Sequence, residues 1–161
     1  MTVEEYNKAV NQHADGIFRF VLKNIRDDEK ARDVVQDSFE KLWLHHESVS
    51  AASVKAYLYA TAYHRLIDVV RKDGRLSLTE DQQMTEEIHN EHYSDLGEVL
   101  GRLVRLLPND QRSVLMLRDY EGYSYKEIAE ITDLSETQVK VYIYRARVFL
   151  KNYIGKIDVL I

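Results

Sequence analysis

The stretch Ser124–Lys151, SYKEIAEITDLSETQVKVYIYRARVFLK, decides how the rest of the chain is read. Ser124 with Glu127 forms an S-x-x-E capping box, and Ser135 with Gln138 repeats the device in its S-x-x-Q form. The first N–H groups of a helix have no acceptor inside the helix, so a side chain that supplies one marks a start. Thr132-Asp133-Leu134, lying between the two starts, is long enough only for a tight turn, with Leu134 placed to pin the corner. A short helix (Tyr125 to Ile131), a turn and a longer helix (Glu136 to about Lys151) make the helix-turn-helix plan. In that plan the second helix enters the DNA major groove.

At 100° per residue, Val139, Ile143, Ala146 and Leu150 of the second helix fall on one stripe, which packs on the first helix. Thr137, Val141, Tyr144 and Val148 lie opposite. Lys140, Arg147 and Lys151 line one flank of that outer face, and Arg145 sits on the other. Medium-sized side chains toward base edges, with cations toward the phosphate walls, suit a groove reader. A basic amphipathic helix alone is common; two capping boxes around a three-residue corner are not.

The 161 residues suffice for one domain or two small ones. One proline, six glycines and few alternating β-branched runs predict helices nearly throughout. There is no cysteine, which excludes a disulfide framework and a thiolate metal site. The N-terminus lacks a basic-then-apolar pattern and no apolar run reaches membrane-spanning length, so the expected location is the cytoplasm, without membrane insertion. The net charge of −5 is uneven. Residues 74–98 carry 1 Lys/Arg against 7 Asp/Glu, whereas 135–161 carry 5 against 2. Binding to duplex DNA draws on counterion release at many phosphates. A chain with this balance is therefore expected to bind weakly alone and to need a larger partner.

Thr2 with Glu5 is a further capping box, followed at helical spacing by Tyr6, Val10, Ile17, Val21 and Ile25, which predicts a first helix to about Ile25. Asp27-Asp28-Glu29 breaks it, with acid where the next helix dipole favours it. A second helix, Lys30 to His45, buries Ala31, Val34, Val35, Phe39 and Leu42. Its other side shows Asp33, Gln36, Asp37 and Glu40, which by pattern alone reads as a solvated face. After a polar loop ending in a Ser53 cap, a third helix runs from Val54 to about Lys72. Leu58, Ala62, Leu66 and Val69 form its apolar side; Tyr57, Thr61, His64, Arg65, Asp68, Arg71 and Lys72 share the other. Aromatics and cations together fit single-stranded nucleic acid, and a snorkelling surface with Tyr57 half-buried fits equally.

Residues 73–94 are polar, acidic and aperiodic: a linker. His89 and His92, like His45-His46-Glu47, have no strong third ligand at helical spacing, so no metal site is expected, and no cofactor. From Asp95 a helix with Leu96, Val99, Leu100, Leu103, Leu106 and Leu107 runs to Pro108. Asn109 to Tyr120 is the next, with Val114, Leu115 and Leu117 for the core, stopped by Gly122.

Four segments, ARDVVQDSFEKLW (31–43), VKAYLYATAYHRLIDVVRK (54–72), LPNDQRSVLMLRDYEGYSYKEIAEI (107–131) and LSETQVKVYIYRAR (134–147), carry a resemblance over nearly the whole chain. Together they resemble the sigma factors of bacterial RNA polymerase, in the extracytoplasmic-function group that keeps only regions two and four. The resemblance implies an all-α protein: a region-two-like domain at 1–73, an acidic linker at 74–94, and a region-four-like domain at 95–161. It implies that Asp33, Gln36, Asp37 and Glu40 dock on the clamp helices of core RNA polymerase. Tyr57, Thr61, His64, Arg65, Arg71 and Lys72 would recognise and help melt the promoter minus-ten element. Thr137, Lys140, Val141, Tyr144, Arg145 and Arg147, with Lys151, would read the minus-thirty-five element, and region four would also dock on the polymerase flap. Relatives are often restrained by an anti-sigma factor, which implies such a partner here. The chain departs from the family pattern at His64, Tyr57, Val141 and Tyr142, so promoter sequence does not transfer. The alternatives are a stand-alone helix-turn-helix regulator, or a helical enzyme or metal bundle, for which no convergent titratable pocket is visible.

Overall fold

The computed structural model describes residues 1–72 and 96–160. Seven α-helices account for nearly all of them, and no strand occurs among them: α1 Val3–Ile25, α2 Asp28–Leu44, α3 Val54–Lys72, α4 Leu96–Leu106, α5 Asn109–Asp119, α6 Tyr125–Thr132 and α7 Glu136–Leu160. The segment expected to be a linker lies outside the described residues.

Helix starts follow the local chemistry. Thr2 Oγ1 accepts from Glu5 N–H at 3.1 Å, and Asp27 caps α2 by accepting from Lys30 N–H at 3.1 Å. α2 therefore begins two residues earlier than the acid cluster suggested. Ser53 does not take the expected role; its hydroxyl turns back to Ser50 O at 3.2 Å. Ser124 and Glu127 form a complete capping box on α6, with both bonds at 3.1 Å. Ser135 and Gln138 do the same for α7, at 2.9 and 3.1 Å. Gly122 takes φ +76°, the left-handed turn that closes α5, and Asp133 takes φ 58° at the α6–α7 corner.

The Ser124 N–H bond holds the Glu127 carboxyl below its ordinary value. A folded value below the unfolded one makes this a contribution present at neutral pH and lost as pH falls through the folded value. Ser124→Ala, which keeps this N–H but removes the hydroxyl that accepts from Glu127 N–H, should lower stability by about 1 kcal/mol in urea unfolding; no change at neutral pH would remove the cap from the account.

α1, α2 and α3 pack mutually, burying Ile17, Phe20 and Val21 of α1, Ala31, Val34, Phe39 and Leu42 of α2, and Leu58, Ala62 and Leu66 of α3. α7 packs on α5 and α6 through Val139, Ile143 and Ala146, the stripe the 3.6-residue period marks. It runs nine residues past Lys151. Tyr153 and Ile154 there pack against Val99 and Leu103 of α4, so the extension is held by a helix separated from it in sequence.

The two helical units share one core. α3 lies on α6 and α1 on α5, and the buried cluster runs unbroken from Ala9 to Ala146. Tyr59 and Tyr63 of α3 are consequently buried, at 2% and 5% exposure, beside the apolar stripe expected from periodicity. Val69, expected on that stripe, is only half-buried. Burial, then the nearby Asp110 carboxylate, pushes the Tyr63 hydroxyl up to about 12.

Candidate nucleic-acid and polymerase interfaces

On α7, Thr137, Lys140, Val141, Tyr144, Arg145, Arg147 and Lys151 are all exposed, Tyr144 at 70%. The buried Val139-Ile143-Ala146 stripe forces them outward, because a helix with one side fixed in a core must present the other. Two cations are anchored from the preceding helices and from α7 itself. Arg147 donates to Asp119 Oδ1 at 2.8 Å, which raises its pKa further, and Lys140 lies 3.7 Å from Glu136 and 5.6 Å from the Tyr125 ring centroid. These contacts hold two positive ends along the flank where a phosphate wall would run. Tyr142, the helix's other tyrosine in the reading stretch, is half-buried against the core and does not join the exposed face.

Arg71, Lys72 and His64 of α3 are exposed, while Tyr57, Thr61 and Arg65 are half-buried. Tyr57 is fixed by the preceding loop, its hydroxyl 3.4 Å from His45 Nδ1. His46 stacks on Trp43 with ring centroids 4.5 Å apart, so the two histidines of that loop serve aromatic and hydrogen-bond packing. His89 and His92 lie outside the described residues.

On α2, Asp33, Gln36 and Glu40 are exposed and Asp37 is half-buried. Gln36 donates to Glu40 at 3.3 Å, and Asp37 accepts from Arg65 Nε at 3.0 Å. The acidic row and the α3 cations therefore meet: Asp33, Arg65 and Lys72 line one cleft of about 190 Å³. Sequence reading missed that the row continues. Trp43 and Leu44 follow Glu40 at helical spacing, 41% and 77% exposed, and with Val3, Tyr6 and Asn7 they line an open apolar groove of about 590 Å³. Exposed tryptophan and leucine three and four residues beyond the last acid were the available signal. The α2 and α7 sets are not brought together. The α3 set meets the helix-turn-helix at its corner, where His64 Nε2 lies 3.3 Å from Asp133.

No described helix is long and apolar enough to cross a membrane.

Comparison with known proteins identifies both halves. Residues 9–76 match the model for sigma-70 region 2, and residues 97–150 match that for sigma-70 region 4. The extracytoplasmic-function sigma factor SigM of Bacillus subtilis is 29% identical over 156 residues, covering 94% of each chain. The sigma-E factor of Salmonella typhimurium is 30% identical over 136 residues, covering 74% of this chain and 71% of its own. Among solved structures, the sigma factor RpoE of Bartonella quintana, in complex with the anti-sigma factor NepR, superposes with a TM-score of 0.74 at 25% identity, covering 95% of this chain and 98% of that one. The CnrH fold, solved with the cytosolic domain of CnrY, follows at a TM-score of 0.69. With a region-two match on α1–α3, a region-four match on α4–α7 and relatives aligned through both, the chain belongs to the extracytoplasmic-function sigma factors of RNA polymerase.

Proposed function

We propose that this transcription initiation factor divides promoter recognition between its two units, in the cytoplasm and on core RNA polymerase. α7 reads the minus-thirty-five element through Thr137, Lys140, Val141, Tyr144, Arg145, Arg147 and Lys151. α3 recognises the minus-ten element and helps open it through Tyr57, Thr61, His64, Arg65, Arg71 and Lys72. The row Asp33, Gln36, Asp37 and Glu40 docks on the polymerase clamp helices, and the apolar groove at Trp43 and Leu44 extends that contact. Region four docks on the flap. The observation that carries the reading is the α7 face: seven side chains of groove-reading type, all exposed on a helix whose opposite stripe is buried. Bond-making chemistry belongs to the polymerase; this chain positions DNA.

An anti-sigma protein is a further proposed partner, supported by the likeness to the sigma factor RpoE solved in complex with the anti-sigma factor NepR. The division of promoter recognition at 73 and 95 rests on the two family matches and on the acid concentrated between them.

A gel shift with and without core polymerase tests the reading. The acidic overall balance predicts little binding of promoter duplex by the chain alone at physiological salt, and a stable shift when core polymerase is added. Tight binding without polymerase, on two half-sites one helical turn apart, would instead support a stand-alone regulator.

A further inference from the structure

In the major groove, guanine is most often read by arginine or lysine and adenine by asparagine or glutamine, each through two hydrogen bonds. The outward row of α7 carries none of these. Thr137, Val141, Tyr144 and Val148 recur at intervals of four, three and four residues, so they share one side of the helix. All four are exposed, Val141 at 38%, Tyr144 at 70% and Val148 at 37%. The opposite stripe, Val139, Ile143 and Ala146, is buried, which fixes the direction in which the row faces.

The side chains able to make two such bonds are set off the row or already engaged. Gln138 is the one amide in the first two turns of α7. Reading adenine takes its oxygen and its nitrogen together. Its Oε1 instead accepts from Ser135 N–H at 2.9 Å, completing the cap. The device that starts the helix thereby withdraws its adenine reader. Arg147 donates to Asp119 at 2.8 Å, and Lys140 lies 3.7 Å from Glu136. At 100° per residue, Lys140 and Arg145 fall about 70° to either side of the middle of the row, toward the phosphate walls.

What the row offers is methyl groups and an aromatic edge. In the major groove one base presents an apolar group of its own, the C5-methyl of thymine, and small apolar side chains, a threonine methyl or an aromatic ring match it. Cations on both flanks select an anionic partner with an apolar strip along its middle. A duplex whose groove floor carries thymine methyls has that form.

We infer that α7 recognises thymine through its C5-methyl group, with Val141 and Tyr144 as the specificity-determining contacts and Thr137 and Val148 at the ends of the row. This rests on the proposed reading of the minus-thirty-five element by α7, and adds which base is read and through which atom. Thr137 to Tyr144 spans about 10 Å of helix axis, or about three base pairs at ~3.4 Å each. The upstream box should therefore hold thymines, on either strand, within about three consecutive pairs.

Deoxyuridine tests this with the full chain on core polymerase, because it pairs as thymine does and lacks only the methyl. In a promoter that the holoenzyme uses, each thymine of the upstream box is replaced singly and binding is measured by competition. At two or more positions the loss should be about fourfold, which is what burial of one methyl group gives. Val141→Ala and Tyr144→Ala should each bind more weakly and erase the deoxyuridine penalty at one position, not the same one for both. Cytosine at a sensitive position should weaken binding further, and 5-methylcytosine, which returns a methyl to the same place, should recover part of the loss. Equal binding of thymine and deoxyuridine at every position would overturn the inference. So would a penalty that persists unchanged in both variants, or a box without thymine. If scrambling the whole box changed nothing while Tyr144→Ala lost polymerase, the row would be a protein contact, and the minus-thirty-five reading would fall with the inference. A box that matters but is indifferent to the methyl would overturn the inference alone.

Discussion

Reversing two charges on α2, Asp33→Arg with Glu40→Arg, is expected to cut promoter-initiated RNA by roughly 100-fold without unfolding the protein. Both carboxylates are exposed and lie on the side of α2 opposite Val34, Phe39 and Leu42. Substitutions at such positions usually change stability by no more than about 0.5 kcal/mol. A basic partner surface would experience each change as attraction replaced by repulsion, and a loss of ~1.4 kcal/mol at each site multiplies to the stated factor. Asp37 is a poorer choice, because its bond to Arg65 confounds docking with the α2–α3 contact. The check is run-off transcription beside gel filtration of the variant mixed with core enzyme. RNA at the parental level would remove the acidic row from the polymerase interface.

The second large effect concerns folding. Asn24, at the end of α1, is 4% exposed and connects the units from the other side of the core. Its Oδ1 accepts from Arg112 Nε at 3.1 Å and from Ser113 Oγ at 3.2 Å, and its Nδ2 donates to Phe20 O at 2.8 Å. Arg112 also donates to Arg105 O at 2.8 Å, so the guanidinium ties α1 to the α4–α5 corner. Asn24→Leu keeps the branching of the side chain and deletes the acceptor, leaving a buried charged donor and a buried hydroxyl short of one partner each. The expected loss is about 3 kcal/mol in urea unfolding. Adding Arg112→Met to that variant should recover part of it, since an apolar pair leaves fewer orphaned groups. A single variant within about 0.5 kcal/mol of the parent would show that the cluster does not stabilise the fold.

What the sequence disclosed, and what it hid, follows the range of the interactions. The caps at Ser124 and Ser135 are contacts between residues three apart and form as complete boxes, and at Thr2 the side-chain half of the expected box forms. The buried stripe of α7 was equally legible, because Val139, Ile143 and Ala146 answer to one helix's periodicity. Tyr59 and Tyr63 were not, because what buries them comes from distant parts of the chain: Phe20 of α1 and Tyr123 pack on Tyr59, and α3 lies on α6. The same holds for Glu121, an unremarkable acid in sequence that becomes a buried acceptor only when α1 and α3 arrive. The reach of α7 past Lys151 depends on α4, again a partner distant in the chain.

The candidate sites divide in the same way. The exposed face of α7 could be drawn from the sequence, since exposure there is the complement of a local stripe. On α2 the four polar residues were visible as a row, but its apolar continuation at Trp43 and Leu44 takes shape only where the start of α1 brings in Val3 and Tyr6. Arg65 looked like a free cation beside Arg71 and Lys72, yet Asp37 holds it. Of the α3 residues proposed to meet the minus-ten element, His64, Arg71 and Lys72 are therefore exposed, and Tyr57, Thr61 and Arg65 are half-buried.

Run-off transcription from a library of promoter fragments, using core polymerase stripped of every other specificity subunit, addresses the central claim most directly. Adding this chain should yield RNA from defined start sites on a subset of fragments that share two short boxes, with none from core enzyme alone. An identical, start-site-free background with and without the chain, at concentrations where it coelutes with the polymerase, would contradict it.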